Sequence, residues 1–189
     1  KIIQGNKNIS DEKPLNILNV EQESALDVIT TASQRSFVLH GATGSGKTEV
    51  YLHAAKKVLQ AKRSVLVLVP EIGLTTQNVL RFESLGFPLI LLHSKQTPVQ
   101  RTKNWQLIQN LSRKNINFIV LGPRSAMFSP ILNLGLIVMD EFHDSSYKQD
   151  SSPKYNSSLI AAKLVELHNA KLILGSATPN IAELNILIK

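Results

Sequence analysis

Gly41-Ala42-Thr43-Gly44-Ser45-Gly46-Lys47-Thr48 fits the pattern Gly, any four residues, Gly-Lys-Ser/Thr without a gap. Glycines at these positions let successive backbone N–H groups turn inward and form an anion-binding concavity. The apolar run Phe37-Val38-Leu39 comes before it, and an amphipathic helical pattern at Val50, Leu52, Ala54, Ala55, Val58 and Leu59 comes after it. A strand, a glycine loop and a helix N-terminus together favour a phosphate group. Gly41, Thr43, Gly44, Ser45 and Gly46 are therefore expected to cradle phosphates, with Lys47 on the β- and γ-phosphates and the Thr48 hydroxyl on Mg²⁺. The matching chemistry lies much later, in Leu136-Ile137-Val138-Met139-Asp140-Glu141-Phe142-His143. A hydrophobic strand ending in paired carboxylates supplies a ligand for the Mg²⁺ shell, Asp140, and a group to polarise the attacking water, Glu141. A nucleoside triphosphate and Mg²⁺ are therefore the expected ligands.

These segments need elements that bring them together. Apolar runs bounded by turn residues recur at 37–40, 65–69, 89–92, 118–121, 134–139 and 172–174, and they are continuous rather than alternating. That pattern predicts parallel strands covered on both faces. Helical patterns lie at 21–32, 48–60, 74–85, 98–111 and 157–167. The alternation predicts an α/β fold, a three-layer αβα sandwich with a mainly parallel sheet, and with the phosphate loop and the Asp140-Glu141 strand end it resembles the RecA-like P-loop NTPases. Ligand sites in such sheets lie at the carboxyl ends of the strands. The phosphate loop, the Asp140 segment and the segment Gly175-Ser176-Ala177-Thr178-Pro179 all fall at such ends and are expected to meet. Residues 1–14 read as a linker or N-terminal extension, and 15–189 as one domain.

The chain has 189 residues, 43% of them hydrophobic, 19% charged and none of them cysteine, with a net charge of +7. Disulfides and thiolate zinc sites are excluded by the missing cysteine. The same lack of cysteine suits a reducing, cytoplasmic setting, and no apolar run approaches the roughly 20 residues of a bilayer span, so no membrane partner is expected. The positive balance favours a polyanionic partner such as nucleic acid. Lys95, Arg101, Lys103, Arg113, Lys114, Arg124, Lys148 and Lys154 are expected to lie mostly in loops between the apolar strands, where charges at loop tips can converge on one face of the sheet.

Asp140-Glu141-Phe142-His143 resembles the DExH box of superfamily 2 helicases, and Ser176-Ala177-Thr178 resembles the Ser-Ala-Thr motif of the same superfamily. In that class His143 couples nucleotide state to the next motif, and the Ser176 and Thr178 hydroxyls are suited to bonding the 140–143 loop. Further strings are similar to the PriA-type replication-restart helicases: Val69-Pro70-Glu71-Ile72-Gly73-Leu74-Thr75, Gly122-Pro123-Arg124-Ser125-Ala126-Met127-Phe128, and Asp144-Ser145-Ser146-Tyr147-Lys148-Gln149 running on to Lys154-Tyr155. The resemblance covers residues 15–189. It implies a 3′-to-5′ DNA helicase acting in replication restart, with Gln22 reading adenine. It places Pro70, Gly73, Thr75, Arg124 and Ser125 on single-stranded DNA. Phe142, Tyr147, Lys148, Lys154 and Tyr155 fall in its aromatic-rich, DNA-sensing loop, where Tyr147, Lys148, Lys154 and Tyr155 are expected on single-stranded DNA by stacking and phosphate neutralisation, with packing of the loop as the alternative role of Tyr147 and Tyr155. Phe142, Pro123, Lys154, Asn156 and Lys95 depart from the family's usual Glu, Thr, Arg, His and Gly.

The resemblance also implies single-stranded and forked DNA, single-strand-binding and primosome proteins as partners, together with a second motor lobe and a zinc module elsewhere in the parent chain. The second lobe is absent from these residues, and no zinc is expected in this fragment. An isolated lobe is expected to hydrolyse ATP poorly, because loss of an arginine finger costs about 10³- to 10⁵-fold in rate. Two alternatives stay open: a lobe of another superfamily 2 translocase, or a non-catalytic module binding ATP or DNA.

Overall fold

A computed structural model describes residues 14–149 and 151–178. The expected linker (except Pro14) and Pro179 lie outside the described residues. Eight strands and five helices follow in the order α1 (Val20–Thr31), β1 (Ser36–His40), α2 (Lys47–Gln60), β2 (Ser64–Leu68), α3 (Thr76–Glu83), β3 (Leu89–Leu91), α4 (Pro98–Arg113), β4 (Ile119–Gly122), β5 (Leu134–Met139), β6 (Lys148–Gln149), β7 (Tyr155–Asn156), α5 (Ser157–His168) and β8 (Lys171–Ser176). Strands β1 to β5 and β8 form one sheet in the order β1-β8-β5-β2-β4-β3, and every pairing in it is parallel. The expected α/β sandwich is therefore the observed fold.

Residues alternate between two cores. Val65, Val67, Val69, Leu136 and Val138 pack with buried residues of α1, α2 and α3, whereas Leu66, Leu68, Ile137 and Met139 pack with those of α4 and α5. Each fully buried aliphatic side chain contributes about 1.5–3 kcal/mol, which is why continuous apolar strands suit a sheet covered on both faces. Within the six-stranded sheet, only β1, at one edge, keeps partial exposure along its length.

Local chemistry sets the helix starts. Asn19 and Gln22 form a reciprocal capping box at α1, and Thr97 and Gln100 form another at α4, with Pro98 in its first turn. Helix α3 begins at Thr76 rather than 74, because the Thr75 side chain accepts from Asn78 N–H and a short 3₁₀ turn occupies Glu71–Gly73. The basic residues are not mostly in loops. Arg101, Lys103 and Arg113 lie within α4. Two further cations do structural work: Arg63 donates to the carbonyls of His168 and Asn169 at the end of α5, and Lys171 to those of Ile29, Thr30 and Ala32 at the end of α1.

Candidate functional site

The glycine loop connects β1 to α2 at the carboxyl edge of the sheet. Gly44 and Gly46 sit at φ +82° and +84°, a left-handed backbone that a side chain would strain. Gly41 N–H donates to Ser176 O at 3.1 Å, which ties the loop's first residue to the end of β8. Lys47 opens α2 and is buried; its ammonium donates to Gly41 O at 2.7 Å and Ala42 O at 3.3 Å and lies 3.7 Å from Glu141. Thr43, Gly44 and Ser45 are exposed, and Thr48 is half-buried in the first turn of α2. Gln22, expected at the adenine, donates from its amide to Ser45 O at 3.1 Å, so α1 is already docked on the loop.

Asp140 and Glu141 follow β5 directly. Glu141 has φ +47°, a sparsely populated conformation for a residue with a side chain and one that clusters at functional sites. Its carboxylate stands 3.6 Å from His143 Nδ1. Ser176 Oγ lies 2.7 Å from the same nitrogen and accepts from Thr178 N–H at 3.0 Å. The Asp140 segment and the Ser-Ala-Thr segment are thus joined through His143 and Ser176, as expected of two segments at strand carboxyl ends. Thr178 takes part through its backbone.

Two buried tyrosines hold Asp140 from opposite sides of the sheet. Tyr51, in the core beneath α2, donates to Asp140 Oδ1 at 3.1 Å. Tyr147, in the other core, donates to the Asp140 carbonyl at 2.6 Å and the Leu68 carbonyl at 2.9 Å. Burial, and next the Asp140 charge, push both phenols above their ordinary range, so both remain donors. Burial raises the Asp140 carboxyl, while the Tyr51 hydrogen bond and the Lys47 charge oppose that rise. A partly buried carboxylate that desolvation disfavours is a fitting partner for a hard cation. With the Thr48 hydroxyl it makes a donor set of the kind Mg²⁺ shares with substrate phosphates. Among the described residues no group of three or more His, Cys, Asp or Glu forms a metal cage.

Tyr51 carried no assigned role in the sequence reading. Its signal lay four residues after Lys47, on the same face of α2. Glu49 was missed too: it is buried beside the loop, accepts from Asn16 and pairs with Arg81 of α3.

Tyr147 is a correction. Expected to stack on DNA, it is only 2% exposed and spends its hydroxyl on two backbone carbonyls. Phe142, placed in the same loop, is equally buried. Removing only the hydroxyl, Tyr147→Phe, takes away the side-chain donor to the Asp140 carbonyl, whereas the Leu68 carbonyl keeps the Asp140 N–H at 2.9 Å. The expected cost is about 1–3 kcal/mol, seen as a fall of roughly 2–12 °C in melting temperature by calorimetry.

The remaining expected DNA residues separate into built-in and exposed groups. Pro70 and Pro123 are buried, Gly73 is half-buried in the 3₁₀ turn, and Thr75 caps α3. Arg124 donates to Ser146 O at 2.8 Å and Lys148 O at 2.5 Å, anchoring the turn that carries Tyr147. Ser125, Lys148 and Lys154 are exposed, and Tyr155 is half-buried in the antiparallel β6–β7 ribbon. That ribbon replaces part of the expected loop.

Comparison with known proteins matches this arrangement. The chain is similar to the replication restart protein PriA of Bacillus subtilis, 42% identical over 169 residues, covering 87% of this chain and 20% of the relative. It is 40% identical over 183 residues to that of Haemophilus influenzae, covering 96% and 24%. It is 45% identical over 173 residues to that of Chlamydia trachomatis, covering 87% and 22%. The chain thus spans about a fifth to a quarter of these relatives. Among solved structures, the Pyrococcus furiosus Hef helicase domain superposes with a TM-score of 0.64 at 18% identity, covering 90% of this chain and 35% of that one. The helicase MrfA bound to DNA and AMPPNP gives 0.62 at 20%, covering 95% and 27%, and both are likenesses of fold. No described helix is long and apolar enough to cross a membrane. Residues 19–187 match the DEAD/DEAH box helicase family, and the chain belongs to that family.

Proposed function

We propose that this chain is the ATP-binding motor lobe of a PriA-type 3′-to-5′ DNA helicase acting in replication restart. The observation that carries this reading is the convergence of the phosphate loop, Asp140-Glu141 and Ser176 at one sheet edge, continued by hydrogen bonds to Arg124. Lys47 leaves its carbonyl partners to meet the phosphates, and Gln22 selects the base. Thr48 and Asp140 would hold Mg²⁺, which would supply charge to offset that building on the phosphate oxygens. Glu141 takes up the proton of the attacking water. His143 and Ser176 carry the state of Glu141 to the end of β8.

DNA lies over the loops after β2 and β4, where Gly73, Thr75, Arg124 and Ser125 stand, with Lys148, Lys154 and Tyr155 beside them. Signalling from DNA to the ATP site runs through Arg124, the Ser146 and Lys148 carbonyls it holds, and Tyr147 on Asp140. Tyr147 is then a mechanical link rather than a stacking surface. A second lobe and a zinc module of the same parent complete the motor. Forked DNA, single-strand-binding protein and primosome proteins are its partners, in the cytoplasm.

Duplexes with a 3′ or a 5′ single-stranded tail test this in the full-length protein. Single-stranded DNA is expected to raise ATP turnover, and a motor moving 3′-to-5′ should unwind only the duplex whose 3′ tail gives it a loading strand. Equal unwinding of both, or turnover indifferent to DNA, would show the reading to be wrong. Arg124→Ala should lose most of the DNA stimulation, measured as the ratio of stimulated to basal turnover.

A further inference from the structure

Beside the ATP site, the carboxyl edge of the sheet holds a cavity of about 370 Å³. It opens between the segment leading into α4, the turn after β4 and the β6–β7 ribbon, and none of residues 41–48, 140 and 141 lines it. This volume is near the lower end of the roughly 300–1,000 Å³ range of small-molecule sites, which suits a planar ring system rather than a large cofactor. Trp105 of α4 and Tyr155 of the ribbon contribute aromatic surface. Trp105, the single tryptophan of the chain, stays 46% exposed. Tyr155 is steadied by an edge-on contact with Phe128, ring centroids 5.3 Å apart at 85°.

Positive charge is fixed at the same place. Arg101 donates to Ser94 O at 3.1 Å, and Arg124 is held by the carbonyls of Ser146 and Lys148. Ser94 is in turn bonded to Glu71 at 3.2 Å. These groups are preorganised, so a ligand loses little side-chain freedom to meet them.

We propose that this cavity receives one unpaired nucleobase of single-stranded DNA, stacked on Trp105, with flanking phosphates on Arg101 and Arg124. The proposal rests on reading the chain as a DNA motor lobe, and it names the part of the strand that this edge grips. A lone phosphate fits poorly, because half-exposed Trp105 would face charged oxygens. A base offers a π-face to the indole and polar edges to the serine and glutamine side chains of the wall. Stacking of this kind tolerates any sequence, as a motor that travels along DNA requires.

The test uses the full-length protein, a labelled oligothymidylate and a matched oligomer whose sugars are all abasic. Trp105→Ala should weaken the base-bearing strand by about 10-fold or more and leave the abasic strand unchanged, while Trp105→Phe keeps most of the affinity. Without any substitution, a strand carrying 5-iododeoxyuridine should crosslink on irradiation to peptides containing Trp105 or Tyr155. Equal loss on both strands, no loss on either, or crosslinks confined to other peptides would overturn the pocket while leaving DNA binding in place. Failure of the wild-type protein to bind either oligomer would overturn the DNA reading itself.

Discussion

Replacing Glu141 with glutamine is expected to cut ATP turnover by about 10²- to 10⁴-fold and leave nucleotide affinity nearly unchanged. The glutamine keeps the size of the side chain and its place beside Lys47, 3.7 Å from the ammonium, but cannot take a proton from water. Lys47→Ala should do the reverse. It removes the cation that meets phosphate in the ground state, so binding itself is lost. Titration with a fluorescent ATP analogue and steady-state hydrolysis, run on the same two variants, separate the roles. Glu141→Gln hydrolysing ATP at the normal rate would show that another group activates the water.

Gly175→Ala is expected to be among the most damaging single-methyl additions in the chain. A Cβ at that position would stand 1.5 Å from the Tyr51 hydroxyl oxygen, 2.8 Å from the ring carbon bearing it and 3.3 Å from Asp140 Oδ1. Tyr51 is 1% exposed and has nowhere to retreat. Overpacking of this kind costs about 1–3 kcal/mol or more, or roughly 2–12 °C in melting temperature for a domain of this size. It also pushes apart the Tyr51 to Asp140 hydrogen bond, so turnover should fall further than stability alone explains. Adding Tyr51→Phe removes the nearest atom and should restore part of the melting temperature without restoring turnover. If the double variant melts no higher than Gly175→Ala alone, the hydroxyl is not the point of collision. Unchanged turnover in Tyr51→Phe would remove it from the positioning of Asp140.

The sequence was informative where chemistry is contiguous. A phosphate cradle is built from neighbouring backbone N–H groups, so its glycines, Lys47 and Thr48 must sit together in the chain. The same holds for Asp140 and Glu141, which need one strand to deliver both. The strands were legible because burial on two faces demands unbroken apolar runs. Element edges were less so. The start of α3 turned on whether the Thr75 side chain caps, a choice made by local hydrogen bonding that periodicity does not register.

Tyr147 shows where reading along the chain leaves packing and DNA contact both open and favours the wrong one. Between Ser146 and Lys148, in a polar loop, an aromatic residue looks exposed. Only the 3₁₀ turn at Ser145–Tyr147, pinned by Arg124, folds it back over Leu68 and Asp140. Tyr51 meets Asp140 across 89 residues of sequence, and Gln22 meets Ser45 across 23.

The sequence by itself determined which groups do the chemistry and that strand ends would present them. The tertiary structure decided which of them touch. Strand β5 lies between β2 and β8, with Met139 in register with Leu68 and Leu174, so Asp140 emerges beside Gly175 and within reach of both tyrosines. Strand order is set by how two helical layers cover the sheet, a global packing result with no local sequence code.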